Sequence, residues 1–434
     1  MANFLIIGDA PSTHSGLARI AKDIAQHLVR DGHSVDFLGL QHQWSWTAKT
    51  DPGYPVWAIR DGEEFGERDV LEHVYRLTKG GVPPNSLTNQ ITERATWRDL
   101  IVWFIWDPSR CASPIAAIRA QQKRGFFKNV QIWGYYAVDA EGPGKDGAFG
   151  GPAAMAVQET DRVLAYTEFG ARVLAATDGP NRSETPFPHL PHGLSAPFAE
   201  PWDVEQGWNT LPNPIAEWLL LKRGRILGAV ATNQPRKDLP LLFEAGALAR
   251  EAGLIDALWL HTDTLTGHYS LPWIVENWGW IGGKNLLITT PKGVFDKKTG
   301  FGSRWTLESD EELAAMYQAC RVTFAPGLGE GWGYPIVESM ALGIPCAVIN
   351  YAGGAELVPW KMRASPASWR WDGLYCLKRP VVNPYDALHA LQFAVEYTEC
   401  GDKTREYVRS LGQKWAWSKI WPELWRPWVE EGLR

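Results

Sequence analysis

Residues 326–345 read PGLGEGWGYPIVESMALGIP. The stretch places Glu330 and Glu338 eight positions apart and puts two glycines, two aromatic residues and a proline between them. A strand is predicted at 321–327 and a helix from about Pro335, so the glycines lie in the loop between them. Backbone amides at a helix N-terminus suit an anionic ligand, and carboxylates accept hydrogen bonds from a vicinal diol.

Apolar strands and amphipathic helices alternate on both sides of this loop. The predicted strands are 3–7, 35–40, 100–106, 130–136, 161–167, 225–232, 256–263, 285–290, 321–327 and 345–351, and the predicted helices include 16–30, 238–253, 310–320 and 335–343. Alternation of this kind predicts parallel sheets and an α/β fold. The proline-rich stretch 185–202 interrupts it and is predicted to be a linker, which divides the 434 residues into two domains.

Composition restricts the class of protein. The chain has 43 basic and 49 acidic residues, a formal net charge of -6, which argues against a uniformly basic nucleic-acid-binding coat. Five scattered cysteines fit reduced thiols, and we expect a cytoplasmic protein. The apolar run at the N-terminus is too short for a signal peptide or a membrane span, and no other stretch approaches a span.

Tryptophan is unusually abundant, with 24 residues. Trp417, Trp421, Trp425 and Trp428 have the spacing of one helix face, which predicts a C-terminal helix at about 415–434 docked on the body of the protein. Large aromatic side chains are more often core residues than ligand platforms, so we expect this stripe to be structural.

The segment EGWGYPIVESMALGIP resembles the E-x7-E motif of retaining glycosyltransferases with the GT-B fold, particularly family 4 (group 1), whose usual form is close to EGFGLPxLEAMAxGxPV. The glycine loop followed by a helix ending in RDGHSV, the phrase LPHGLSAPF and the phrase YAGGAELV resemble the same family. The resemblance implies two Rossmann-like parallel-sheet domains facing a cleft. Residues 1–195 would be the N-terminal acceptor domain, with the C-terminal helix packed back on it, and 196–414 the donor domain.

The resemblance also implies which residues bind the donor. Glu338 matches the glutamate that binds the ribose hydroxyls of the nucleotide, and Glu330 matches the one that contacts the donor sugar. The remaining matches are the turn whose amides approach the sugar and diphosphate, formed by Gly331, Trp332, Gly333 and Tyr334, and the loop glycine near the distal phosphate, Gly16.

The family places an arginine and a lysine on the diphosphate, and the matching segment here is ATNQPRKDLP. Lys237 fits the lysine, but Ala231, Thr232 or Asn233 occupies the place of the arginine, while Arg236 adjoins the lysine. A solvated cation pair at a helix start would oppose the helix dipole, which favours a ligand-binding role for Arg236 and Lys237. Which residue replaces the arginine stays open.

The catalytic position of the N-terminal domain is less clearly marked. Many relatives have a histidine after the strand that matches WGYYAVDAEG, and Asp139 is our candidate there for the acid facing the reacting sugar; a helix cap is the alternative. His14 could reach the diphosphate or be merely exposed. The loop GDAPSTHSG lacks the G-x-G-x-x-G and Walker patterns, so it is either a phosphate-binding loop or an ordinary tight turn.

The sequence contains no Asp-x-Asp clamp, so we expect a metal-independent retaining transferase. Lys237, Glu330 and Asp139 are its candidate catalytic residues, electrostatic stabilisation replaces a metal, and no cofactor is expected besides a UDP- or GDP-sugar co-substrate. A non-catalytic nucleotide-sugar or carbohydrate binder and a GT-B epimerase are the alternatives.

The acceptor hydroxyl stays open among a sugar, a small metabolite and a hydroxymethylated base in phage-type DNA. For DNA, segment 119–128 offers Arg119, Lys123, Arg124 and Lys128 interleaved with two phenylalanines, although a solvated helix surface explains the pattern equally well. A lipid acceptor ranks lower because no membrane-facing segment is evident. The oligomeric state cannot be predicted.

Overall fold

The computed structural model describes residues 1–13, 15–40, 53–59, 66–79, 99–179, 186–200, 208–222, 224–291, 305–399 and 401–434. His14, discussed above, lies outside them. The chain forms two compact units. The first comprises Met1–Leu190, Gly373–Leu377 and Glu423–Arg434, and the second comprises Pro191–Asp372 and Lys378–Pro422.

The first unit contains a parallel sheet whose strands neighbour one another in the order β3-β2-β1-β4-β5-β6. Its strands are β1 (Asn3–Asp9), β2 (Ser34–Leu40), β3 (Val56–Ala58), β4 (Leu100–Trp106), β5 (Val130–Tyr136) and β6 (Arg162–Ala165), and its helices are α1 (Gly16–Arg30), α2 (Glu67–Lys79), α3 (Pro108–Lys123), α4 (Gly151–Gln158) and α5 (Glu168–Asp178). The strand order changes direction between β1 and β4, and α/β sheets bind ligands at such a switch point.

The second unit repeats this plan, with the order β10-β9-β8-β7-β11-β12-β13 and a reversal between β7 and β11. Its sheet strands are β7 (Ile226–Val230), β8 (Ala257–His261), β9 (Leu286–Pro291), β10 (Thr306–Leu307), β11 (Val322–Ala325), β12 (Cys346–Ile349) and β13 (Arg363–Ala364). Its helices are α6 (Asn213–Lys222), α7 (Leu239–Glu251), α8 (Leu271–Asn277), α9 (Asp310–Ala319), α10 (Tyr334–Ala341), α11 (Ala352–Glu356), α12 (Pro384–Glu399) and α13 (Asp402–Gln413). A separate two-stranded sheet pairs β14 (Pro366–Asp372) with β15 (Leu377–Val382).

Local sequence explains why these elements begin and end where they do. Every residue of β4 is buried, as expected for a central parallel strand with both faces covered. The Ser15 side chain accepts a hydrogen bond from the Ala18 amide at 3.0 Å and so caps α1, while Gly32, at a φ of +85°, adopts the left-handed conformation after the helix. The predicted α/β class with two parallel sheets is confirmed.

The C-terminal segment differs from the single helix predicted for about 415–434. It consists of α14 (Trp417–Ile420), a π-helical turn (Trp421–Trp425) and α15 (Arg426–Gly432). Pro422 and Pro427 lack the amide hydrogen that a regular α-helix donates, which accounts for the interruption. All four tryptophans of the stripe are buried. The end of the segment belongs to the first unit, where the Trp428 ring lies 5.6 Å from Trp103 and 5.2 Å from Trp133.

Among the helices that the structure describes, none combines the length and the apolar character needed to cross a bilayer.

Candidate active site

Two loops of the second unit meet at its switch point. One follows β7 and contains Arg236 and Lys237; the other follows β11 and contains Glu330. Strands β7 and β11 are parallel neighbours, so both loops leave the same edge of the sheet. The Leu328 amide donates a hydrogen bond to the Arg236 carbonyl at 2.7 Å, which fixes one loop against the other.

Glu330 joins the two cations. Its carboxylate accepts hydrogen bonds from the Lys237 ammonium and, at 3.2 Å, from the Arg236 guanidinium, which also donates to the Gly329 carbonyl at 3.2 Å. The Glu330 and Lys237 side chains are only 14% and 12% exposed. Burial by itself would raise the pKa of Glu330, but the charges of Lys237 and Arg236 outweigh it and lower that pKa to about 2. The carboxylate is therefore ionised at neutral pH.

Glycines make this arrangement possible. A Cβ atom added to Gly327 would lie 2.6 Å from Oε1 of Glu330, so only glycine leaves room for the carboxylate. Gly333 has a φ of +108°, a backbone conformation that favours glycine, and it is the N-cap residue of α10. The alternation of glycines in the sequence thus has a steric reason at both ends of the loop.

The loop presents backbone donors beside these cations. Within the described residues, the amides of Gly331, Trp332 and Gly333 donate no hydrogen bond, and no side chain caps α10. The first amides of a helix need external partners and carry a partial positive charge, so this end of α10 suits an anion. A cavity here is lined by Val230, Ala231, Lys237, Ala325, Pro326, Gly327, Glu330, Gly333, Pro335 and Ile336.

Glu338 lies in a different environment from Glu330. It is on α10, only 3% exposed, and accepts a hydrogen bond from the Tyr317 hydroxyl of α9 at 3.1 Å. Burial, followed by the charge of Glu338, raises the pKa of Tyr317 well above its ordinary value, so the tyrosine stays a neutral donor. The sequence provided no local signal for this contact because Tyr317 lies on another helix.

Asn233, in the region where the family arginine is expected, has a structural role in the loop after β7. Its side chain donates to the Tyr269 carbonyl at 2.8 Å and accepts from the Tyr269 amide at 2.9 Å. Its own amide donates to Asp263 at 2.7 Å. Asn233 therefore ties this loop to the segment after β8, and the arginine that contacts Glu330 is Arg236.

The aromatic residues of the glycine-rich loop pack inward. Trp332 and Tyr334 are buried, and their rings lie 5.4 Å and 5.2 Å from the imidazole of His192. Trp332 also contacts the Trp415 ring edge to face at 5.3 Å. These contacts engage the rings within the fold and fix the backbone of the loop.

The candidates of the first unit also lie where parallel strands end. Gly16 is the first residue of α1, and the neighbouring Ser15 donates to the Asp9 carboxylate at 2.7 Å. Asp139 follows β5 and caps none of the described helices, but its charge helps raise the pKa of Asp107, for which burial is the main cause. Burial likewise raises the pKa of Asp9. The sheet thus brings several carboxylates to one edge.

Segment 119–128 keeps only part of the pattern of cations interleaved with aromatic rings. Arg119 donates to the Glu159 carbonyl at 2.6 Å and to Asp161 at 2.7 Å, so the fold itself engages its guanidinium. Phe127 is fully buried at the end of the segment. The fold takes up these two members of the pattern, whereas Lys123, Arg124 and Lys128 are exposed, and a nucleic-acid acceptor stays a prediction.

Comparisons with known proteins agree with this geometry. Residues 302–359 match the family model described as glycosyl transferases group 1. No curated protein matches the chain. Among solved structures, sucrose-phosphate synthase from Thermosynechococcus elongatus is similar with a TM-score of 0.68 at 14% identity, and the catalytic domain of starch synthase IV from Arabidopsis thaliana, bound to ADP and acarbose, with 0.62 at 14%; each covers 100% of both chains.

A third similar structure is trehalose-6-phosphate from E. coli bound with UDP-2-fluoro glucose, with a TM-score of 0.55, 14% identity and 95% of each chain covered. Likeness at this identity shows the fold, and the family match includes Glu330, Glu338 and the loop between them. The narrower assignment to family 4 stays a prediction. The chain therefore has the GT-B fold, and its residues 302–359 are similar to group 1 glycosyl transferases.

Proposed function

We propose that the chain transfers a sugar from a nucleoside-diphosphate sugar to an acceptor hydroxyl, with retention at the anomeric carbon and without a metal ion. The observation that carries the proposal is the meeting of Arg236, Lys237 and Glu330 beside the uncapped start of α10. Two cations, backbone amides and an ionised carboxylate offer partners for a diphosphate at one end and for hydroxyl groups at the other.

Each group has a task in this proposal. The phosphates of the donor bind Lys237 and Arg236, which stay paired with Glu330. The Glu330 carboxylate also accepts hydrogen bonds from the sugar hydroxyls. Glu338 accepts from the ribose hydroxyls, with Tyr317 orienting it. The turn whose amides approach the sugar and diphosphate is formed by Gly331, Trp332, Gly333 and Tyr334. Gly16 approaches the distal phosphate.

The leaving group determines the chemistry. Negative charge develops on the diphosphate as the glycosidic bond breaks, and preorganised cations and amides stabilise it without rearrangement. Attack from the same face lets the leaving phosphate take the proton of the acceptor, so no protein nucleophile is required. Asp139 faces the reacting sugar in this proposal. Among the described residues, no group of three or more His, Cys, Asp or Glu side chains could hold a metal ion.

The donor is proposed to be a UDP- or GDP-sugar. Two of the similar structures are bound with ADP and with UDP-2-fluoro glucose, which supports a nucleotide-sugar donor without choosing its base. Residues 196–414 would form the donor domain and 1–195 the acceptor domain of a cytoplasmic enzyme. A soluble sugar, a metabolite and a hydroxymethylated base stay open as acceptors.

The test is release of nucleoside diphosphate from UDP-, GDP- and ADP-sugars without added metal, with and without acceptors, hydroxymethylated DNA among them. The native chain is compared with Glu338→Ala, and with Glu276→Ala on α8 of the same unit as the control. We expect acceptor-dependent release from one donor, lost in Glu338→Ala and kept in the control.

The other outcomes favour the alternatives. Donor binding without turnover indicates a non-catalytic binder, and conversion of the donor sugar without an acceptor indicates an epimerase. Absence of binding to every nucleotide would overturn the donor site itself.

A further inference from the structure

The two-stranded sheet β14–β15 has no part in the function proposed above. It lies between β13 and α12 in sequence and is separate from both parallel sheets. Residues 373–376 connect its strands, and a connection this short joins antiparallel strands.

The sheet displays two tryptophans on one face. Trp369 and Trp371 are two positions apart in β14, so their side chains leave the same side of the strand. They are 46% and 60% exposed, and Trp371 makes no ring or cation contact among the described residues. Adjacent exposed aromatic rings are costly in water and are typical of binding surfaces.

The segment that carries these rings is basic in a chain of net charge -6. Residues 359–382 include one acidic residue, Asp372, and five basic ones, Lys361, Arg363, Arg370, Lys378 and Arg379. Arg363 binds the Val358 carbonyl, Arg379 is buried, and Arg370 alternates with the tryptophans along β14 and so leaves the opposite side of the strand. The Lys378 ammonium lies 4.6 Å from the centroid of the Trp369 ring, so positive charge and aromatic surface share one face.

The sheet is anchored beside the candidate donor site within the second unit. The Tyr351 ring lies 5.1 Å from Trp369, and the Tyr351 hydroxyl donates to the Lys378 carbonyl at 2.7 Å. Tyr351 is the N-cap of α11, and a Cβ atom on Gly354 of that helix would lie 3.3 Å from the Cβ of Glu330. A short chain of contacts therefore runs from the tryptophans to Glu330.

We propose that the surface formed by Trp369, Trp371 and Lys378, here called the tryptophan face, binds single-stranded nucleic acid. Bases of any sequence stack on exposed aromatic rings, and the Lys378 ammonium beside them neutralises a phosphate. A neutral oligosaccharide would use the rings but gain nothing from the cations, so the local charge favours nucleic acid. The proposal concerns binding and does not depend on the transferase reaction.

Fluorescence anisotropy with a labelled thymidine 15-mer tests the proposal on the full chain at two salt concentrations. We expect binding that weakens as salt rises, because phosphate contacts release counterions. Trp371→Ala should weaken binding about five- to a hundredfold, the range for loss of one stacked base, and Trp371→Phe should restore much of it. Lys378→Gln should reduce the number of counterions released on binding by about one, as measured from the slope of log K against log salt concentration.

Trp273→Ala on α8 is the matched control, since this tryptophan is 77% exposed but belongs to another element. It should bind like the native chain, and circular dichroism should show each variant folded. The proposal is overturned if the 15-mer does not bind at low salt, or if Trp371→Ala and Trp273→Ala weaken binding equally. Salt-independent binding of maltoheptaose that requires Trp371, without binding of the 15-mer, would identify a glycan surface instead.

Discussion

Glu330 accepts a hydrogen bond from the Lys237 ammonium, 93 positions earlier in the chain. Neighbouring strands β7 and β11 bring the two loops together, and Arg236 completes the group. A largely buried carboxylate without these cations would destabilise the fold, and so would the largely buried Lys237 without the carboxylate. The three side chains therefore hold one another in position.

Replacing Lys237 tests whether this group stabilises the leaving diphosphate. We expect Lys237→Gln to lower kcat by roughly a hundred- to a thousandfold, the usual effect of removing one preorganised charge partner in a transition state. Steady-state kinetics on the donor identified by the release assay measure it. Lys284→Gln, which removes an exposed lysine of the same unit, should have little effect. Unchanged kcat in Lys237→Gln would place the diphosphate elsewhere.

Stability at acid pH should report the Glu330 group. The folded pKa of Glu330 is about 2, below its ordinary value of 4.5. A depressed pKa contributes stability above the unfolded value, and this is lost as pH falls from about 4.5 towards about 2. The contribution is on the order of 3 kcal/mol at neutral pH, from 1.36 kcal/mol per pKa unit.

Thermal unfolding of the native chain and Glu330→Gln at several pH values measures this contribution. The stability difference between them should be largest above pH 5 and shrink as the native glutamate becomes protonated, because a protonated glutamate and a glutamine are both neutral. A difference that stays constant down to pH 2.5 would contradict ionic pairing of Glu330. Glu276→Gln serves as the exposed-residue control.

Much of the fold could be predicted because its strands and caps carry local signals. Strands β4 and β5 and helix α1 have the predicted limits, since buried parallel strands are continuous apolar runs and Ser15 caps the helix. The β14–β15 sheet was not predicted, although residues 367–372 alternate apolar and polar side chains as a strand does, because the prediction relied on continuous apolar runs, which this largely exposed sheet lacks. The sequence shows two prolines among the residues of the C-terminal stripe, but the spacing of its four tryptophans predicted an uninterrupted helix.

The candidate site also has a part that the sequence predicted and a part that it did not. Resemblance to a motif pointed to Glu330, Glu338 and Lys237, whereas the contacts of Asn233 and Tyr317 join elements distant in sequence. Such contacts depend on how helices and loops pack, and no pattern within either segment encodes them. This is why the structural role of Asn233 and the contact of Arg236 with Glu330 became visible only in three dimensions.

Tyr317→Phe tests whether the hydroxyl orients Glu338. The change removes one hydrogen bond to a buried carboxylate, an interaction worth about 1.5–3 kcal/mol, while keeping the ring that packs on Trp259. We expect nucleoside-diphosphate affinity, measured by titration calorimetry, to fall at least several-fold. Tyr351→Phe removes a hydroxyl that bonds a backbone carbonyl in the same unit and should leave that affinity nearly unchanged. If both variants lower the affinity equally, the loss does not depend on the hydrogen bond to Glu338.

Trp428→Ala should destabilise the first unit by about 3–5 kcal/mol, the usual cost of truncating a buried tryptophan. Its ring packs on Trp103 and Trp133, and the Arg162 guanidinium lies 4.4 Å from its centroid. Urea unfolding measures the change. The 77% exposed Trp273, replaced by alanine, should shift stability by less than about 0.5 kcal/mol. A small effect of Trp428→Ala would mean that the C-terminal segment is not an integral part of the core.

Gly327→Ala separates the position of Glu330 from its chemistry. The new methyl group would lie 2.6 Å from Oε1 of Glu330, so the carboxylate must shift from its present position while all three charged residues remain. We expect a tenfold or greater loss of kcat/KM, because a displacement of about 1 Å at a preorganised site can cost that much or more. Gly282→Ala, whose added Cβ would meet no atom within 4 Å, is the control. If Gly327→Ala keeps full activity while Glu330→Gln does not, the charge of Glu330 matters but its present position does not, and the donor-bound arrangement differs from the one described here.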